Sequence, residues 1–191
     1  MADRVLIVID MLKDFLDSWE ASDRDCLTSS INQLTSWARD ESIPVLWVRQ
    51  EFEPDLSDAF LVMKKNNIHK TIKGTPGCQI VDDLNREPGD LEVIKKRYSA
   101  FFGTSLDETL QQLKAETVIL AGINTHACVR TAAIDAYQRD YDVVIVKQSV
   151  GSYDRAHHEI SLAYLGSHIA SVVEQADLLQ GPRQTPKTPP N

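Results

Sequence analysis

Two rhythms of apolar and polar positions take turns along this chain. Val5–Ile9 is a short unbroken apolar run, the pattern of a strand buried on both faces. From Arg24 to Asp40 the apolar residues recur at Leu27, Ile31, Leu34 and Trp37/Ala38, which is helical spacing. Pro44–Val48 and Leu91–Ile94 read as a second and a third strand, the latter followed by a short helix over Leu106–Leu113. Val118–Ala121 is a fourth strand and leads into a helix from about Thr125 to Asp140. Val143–Val146, a helix across Asp154–Leu165 and a short strand at Ala170–Val173 complete the series. Strands alternating with helices predict an α/β fold: a single three-layer α/β/α domain around a mostly parallel, doubly wound sheet with right-handed crossovers. Sites in such sheets form at the carboxyl ends of the strands, so strand-end residues are the candidates for chemistry.

Two segments leave this rhythm. Glu51–Asp90 is long and loop-rich, with the turn signal Gly74-Thr-Pro-Gly77. A loop of that length is either a functional cover or a plain excursion with its own helix. Residues 181–191 hold four of the eight prolines and almost nothing apolar, which predicts a disordered tail after a domain of residues 1–180.

Composition narrows the function classes. A chain of 191 residues suits one domain with a substantial core. Its net charge of -8, with no Lys/Arg cluster to offset it, argues against nucleic acid as a partner. No apolar run approaches the ~20 residues of a membrane span, and no signal peptide precedes the first strand. Cys26, Cys78 and Cys128 are widely spaced and form neither a disulfide framework nor a zinc pattern. The expected setting is cytoplasmic.

The densest chemistry lies in Ala121–Arg130, where a strand-like run ends and a helix-like run begins. A cysteine in a first helical turn meets unpaired N–H groups and the positive end of the helix dipole, which favour a thiolate. The same N–H groups can hold an oxyanion. Cys128 is thus a candidate nucleophile, against the alternative of a small core hydrophobe. Asp10, ending the first strand, is either a cap or loop residue or a base at the active edge. Lys95 and Lys96 follow the third strand and are either solvated or bring one charge to the site; adjacent strand residues face opposite sides, so only one can enter. Were Asp10, a lysine and Cys128 to converge, the lysine would depress the thiol pKa and the aspartate would shuttle its proton.

Three segments in order, Val8-Ile-Asp-Met-Leu-Lys-Asp-Phe15, Lys95-Lys-Arg-Tyr-Ser-Ala-Phe-Phe-Gly-Thr104 and Gly122-Ile-Asn-Thr-His-Ala-Cys-Val129, resemble the isochorismatase-like cysteine hydrolase family. Its members include nicotinamidases, N-carbamoylsarcosine amidase and ureidoacrylate amidohydrolase. The resemblance spans roughly residues 4 to 175 and implies a catalytic triad of Asp10, Lys95 and Cys128. It also implies a cis peptide at Ile123–Asn124 that aims the Asn124 N–H, with that of Cys128, into an oxyanion hole. The implied reaction is cleavage of the C–N bond of a small amide, ureide or carbamoyl compound through a thioester.

Nicotinamidases carry an Asp-x-His metal motif just after the second strand; here that place reads Arg49-Gln-Glu-Phe-Glu-Pro54, without histidine. No metal and no cofactor are expected. Gln50 could offer an amide pair to a ureide, and Arg49 or Arg97 could hold a carboxylate or else form salt bridges on the rim, with Phe15, Trp47, Phe52, Tyr98 and Phe101 as apolar wall. His126 is either a wall residue or a surface residue at the helix start. The expected partners are a small-molecule substrate and further copies of the chain, as a dimer or tetramer. Two other readings stand beside the amidohydrolase: vinyl-ether hydrolysis of isochorismate, and a non-catalytic binding protein on the same fold.

Overall fold

The computed structural model describes residues 3–180; the expected tail at 181–191 lies outside the described residues. Six strands form one sheet in the order β3-β2-β1-β4-β5-β6. They are β1 (Arg4–Ile9), β2 (Val45–Gln50), β3 (Leu91–Lys95), β4 (Thr117–Ile123), β5 (Asp142–Gly151) and β6 (Ser171–Val173), and every pair is parallel. The order reverses direction at β1, so the carboxyl ends of β1 and β4 flank the crevice where ligands bind in such sheets.

The unbroken apolar runs are sorted by alternation. Val5, Ile7 and Ile9 of β1 and Val118 and Leu120 of β4 face one layer, with α4 (Leu106–Leu113), α5 (Arg130–Tyr137) and α6 (Arg155–His168). Leu6, Val8, Ile119 and Ala121 face the other, with α1 (Lys13–Leu16), α2 (Ala21–Asp40) and α7 (Gln175–Leu179). Both faces are covered, which is why these strands show no polar stripe.

Three departures from the sequence pattern have physical causes. β5 runs to Gly151, five residues past the apolar run. Its polar Ser149 stays fully buried by bonding Ser30 of α2 and Gln175 of α7, so buried hydrogen bonds replace apolar packing there. Cys128 lies in a π-helical turn, Thr125–Val129, ahead of α5. The excursion 51–90 carries a helix, α3 (Leu61–Asn66), and a small core of its own from Phe52, Leu56, Ala59, Met63 and Ile72. Asp14 anchors it: its carboxylate accepts from the Thr71 N–H at 2.6 Å. The same carboxylate lies over Gly77, where a Cβ would come within 2.2 Å of it.

One close approach fixes the crevice. Gly122 of β4 has φ +105°, and a Cβ there would stand 2.1 Å from the Ile9 carbonyl oxygen. Only glycine lets β4 run this near the residue that precedes Asp10.

Candidate active site

β1 stops at Asp10, whose φ of +55° is a left-handed conformation that Asp tolerates better than most residues. Its N–H donates to Val48 O at 2.8 Å, so the turn is tied to β2. Lys95 is the last residue of β3, in register with Gln50 and on the same side of the sheet as buried Val93. Its neighbour Lys96 turns the other way and pairs with Asp58 of the excursion at 2.8 Å. Of the two candidate lysines, Lys95 enters the site.

The Lys95 ammonium gathers three groups: Asp10 Oδ2 at 2.7 Å, the Arg97 carbonyl at 3.1 Å and Cys128 Sγ at 3.5 Å. Those three contacts match its three hydrogens. Asp10 is 1% exposed, Lys95 0% and Cys128 6%, so the cluster is shielded from bulk water. Burial works against the lysine's charge, yet the Asp10 carboxylate, joined by the sulfur where it ionises, outweighs it and its pKa is raised. The Cys128 thiol is pushed up to about 12. Lys95 does lower the thiol pKa, as the sequence reading expected of it, but burial and the Asp10 carboxylate outweigh it and the net direction is upward.

The Ile123–Asn124 peptide is cis. The Asn124 carbonyl accepts from the N–H groups of Ala127 (3.0 Å) and Val129 (3.2 Å), which closes the turn around Cys128. Buried side-chain atoms of the cluster and its neighbours that lack a hydrogen-bond partner include Asp10 Oδ1, Gln50 Nε2 and Asn124 Oδ1. Gln50 is 5% exposed, so an unmet donor there is costly unless a ligand satisfies it.

The remaining candidates separate. Phe15 is half-buried against the α2-side core. Tyr98 is exposed and packs its ring against Phe60, at 5.2 Å between centroids. Arg97 is engaged by the excursion: its Nη1 donates to Asp58 O at 2.9 Å and its guanidinium covers the Phe60 ring. Phe101 is corrected from cleft wall to core: it is buried and stacks on Tyr141, just before the amino end of β5 and at the opposite edge of the sheet from the strand carboxyl ends. Arg49 bridges Glu51 (2.5 Å) and Glu92 (2.9 Å), an ion-pair network at the place of the nicotinamidase metal motif. Among the described residues no group of three or more His, Cys, Asp or Glu has the arrangement to hold a metal ion.

The family model for the isochorismatase domain matches residues 4–177. The chain belongs to the isochorismatase family. Among curated relatives of that family, a probable isochorismatase of Pseudomonas chlororaphis is 29% identical over 170 residues, 88% of this chain and 81% of its own. A probable inactive nicotinamidase of Arabidopsis thaliana is 32% identical, covering 76% of this chain and 81% of its own. A ureidoacrylate amidohydrolase of Methylorubrum extorquens is 30% identical, covering 74% and 67%. The crystal structure of an isochorismatase family protein from Desulfovibrio vulgaris superposes with a TM-score of 0.86 at 28% identity, over 92% of this chain and 96% of that one. Family membership thus spans isochorismatase and amidohydrolase chemistries, and this chain's own side chains have to decide between them.

Proposed function

We propose that this protein is a cysteine amidohydrolase that cleaves the C–N bond of a small amide, ureide or carbamoyl compound. The observation that carries the reading is the buried contact of Lys95 with both Asp10 (2.7 Å) and the Cys128 sulfur (3.5 Å). Vinyl-ether hydrolysis need not use a thiol nucleophile, so a thiol placed beside Lys95 and Asp10 weighs against that reading.

In the first step sulfur attacks the carbonyl carbon as its proton passes to Asp10, so a free thiolate never accumulates. Lys95 stays charged and compensates the negative charge as it moves between carboxylate, sulfur and oxyanion. The Asn124 and Cys128 N–H groups receive the oxyanion. The C–N bond then breaks, and the amine or ammonia leaves with the proton that Asp10 holds. Water, deprotonated by Asp10, attacks the thioester, the C–S bond breaks, and the proton returns to sulfur. Gln50 Nε2, an unmet buried donor, binds a carbonyl or carboxylate oxygen of the substrate. We place the enzyme in the cytoplasm and expect a dimer or tetramer, supported by exposed Leu61, Phe102, Tyr153 and Ile160.

The isochorismatase reading rests on the Pseudomonas chlororaphis relative. One experiment separates the two. Ammonia release is measured for maleamate, ureidoacrylate-like compounds, N-carbamoyl amino acids, biuret and nicotinamide, with wild type and Cys128→Ala in parallel and isochorismate as a separate arm. We expect turnover of at least one amide or ureide that vanishes in the variant. Turnover that survives in Cys128→Ala, or turnover of isochorismate alone, overturns the proposal.

A further inference from the structure

The turn that carries Cys128 is fastened by two successive residues to one corner of the fold. Thr125 is fully buried, and its hydroxyl donates to the Gly151 carbonyl, at the end of β5, at 2.9 Å. The same oxygen lies 2.9 Å from Nδ1 of His158 on α6. A hydroxyl has one hydrogen, already committed to Gly151, so the His158 ring must be the donor through Nδ1–H. His126, the next residue of the turn, has its Nδ1 2.6 Å from Ser152 Oγ. That oxygen also accepts the Asp154 N–H at 3.1 Å, so its own hydrogen is free to point at His126. Asp154 in turn caps α6, accepting from the His157 N–H at 2.9 Å.

The β5–α6 corner therefore clamps Thr125 and His126, the two residues that follow Asn124 and lead through Ala127 to Cys128. Nothing in the acyl-transfer chemistry uses His158 or Thr125, and a half-buried histidine bonded to a fully buried hydroxyl is more than surface decoration. We propose that His158 is a positioning residue for the nucleophile: its Nδ1–H, relayed through the Thr125 hydroxyl to Gly151 O, sets the placement of the turn that presents Cys128 and the Asn124 N–H. The proposal rests on Cys128 being the nucleophile.

The geometry makes a chemical demand that separates positioning from packing. The amide NH2 of asparagine stands near the Nδ1 position of histidine, whereas that of glutamine reaches nearer Nε2. His158→Asn should keep the relay, and His158→Gln and His158→Ala should break it. Thr125→Ser keeps the hydroxyl, and Thr125→Val removes it at nearly equal volume.

The probe is p-nitrophenyl acetate, which requires no knowledge of the natural substrate. Sulfur takes the acetyl group, its proton passes to Asp10, nitrophenolate leaves, and peptide mapping by mass spectrometry locates the acetyl group. We expect His158→Ala, His158→Gln and Thr125→Val to slow acetylation of Cys128 by roughly ten- to a hundredfold, the range a misplaced reacting group costs. The double variant should be no slower than the slower single one, because both cut the same relay. His158→Asn and Thr125→Ser should stay within about threefold of wild type even where their melting temperatures fall, since a retained bond retains the placement. Rates within twofold of wild type for His158→Ala and Thr125→Val overturn the relay, as does a His158→Asn variant as slow as His158→Ala. A nitrophenolate burst undiminished in Cys128→Ala overturns the nucleophile itself, and the relay with it.

Discussion

Cys128 and Asp10 have to be understood together, as buried groups that both meet the Lys95 ammonium. Cys128 sits at about 12 because it is buried beside a carboxylate. Alkylation of the wild-type thiol should therefore be slow at neutral pH and keep rising with pH well past the range of an ordinary thiol, near 8.5. Removing the carboxylate removes a repelling charge and leaves Lys95 with the sulfur as its remaining charged partner. Asp10→Asn should thus bring the alkylation midpoint down by more than about one pH unit while turnover falls by roughly 10²- to 10⁴-fold, the usual worth of a general base. A variant more reactive towards iodoacetamide yet nearly inactive is the expected combination. If alkylation instead slows, Asp10 is not what holds the thiol protonated.

The same residue scale shows where the sequence could be read and where it could not. Asp10, Lys95 and Cys128 were legible because each follows a strand-like run, and strand ends of a parallel sheet share one rim. The sign of the thiol shift was not legible, since it depends on how completely three distant segments exclude water. Arg97 was equally opaque: a guanidinium available to a carboxylate and one clamped to Asp58 O look identical in one dimension. Periodicity does not tell which aromatic faces a cleft: Phe101 read as wall, but its chain segment has turned down to Tyr141.

At the scale of elements, the crossing of β1 and β4 governs the site. The Cβ that Gly122→Ala adds at 2.1 Å from Ile9 O meets backbone, which cannot swing aside like a side chain. We expect a loss of at least about 3 kcal/mol in urea unfolding, in the range of the more damaging single substitutions. Activity should fall further than stability alone explains, because whatever moves Ile9 moves Asp10. A variant that unfolds like wild type would mean that the two strands are not held this close. Element existence followed from apolar periodicity for the six strands and for α2 and α4 to α6. α7 and the polar half of β5 did not follow, because Ser149 and Gln175 are buried by hydrogen bonds to each other and to Ser30, a pairing of positions 26 and 119 residues from Ser149.

On the scale of the whole molecule, packing into the core between the sheet and the α4–α6 layer leaves Cys128 6% exposed, whereas Cys26 lies open on α2. Oxidation of thiols follows thiolate character and access, and Cys128 has little of either. Hydrogen peroxide applied to the free protein should modify Cys26 well before Cys128 and leave most of the activity intact, as peptide mapping alongside an activity assay would record. Early sulfinic acid at Cys128 would contradict both the burial and the held proton. On the proposed mechanism, the burial that makes this cysteine a slow reagent also makes it a durable one, kept from oxidants until a substrate arrives.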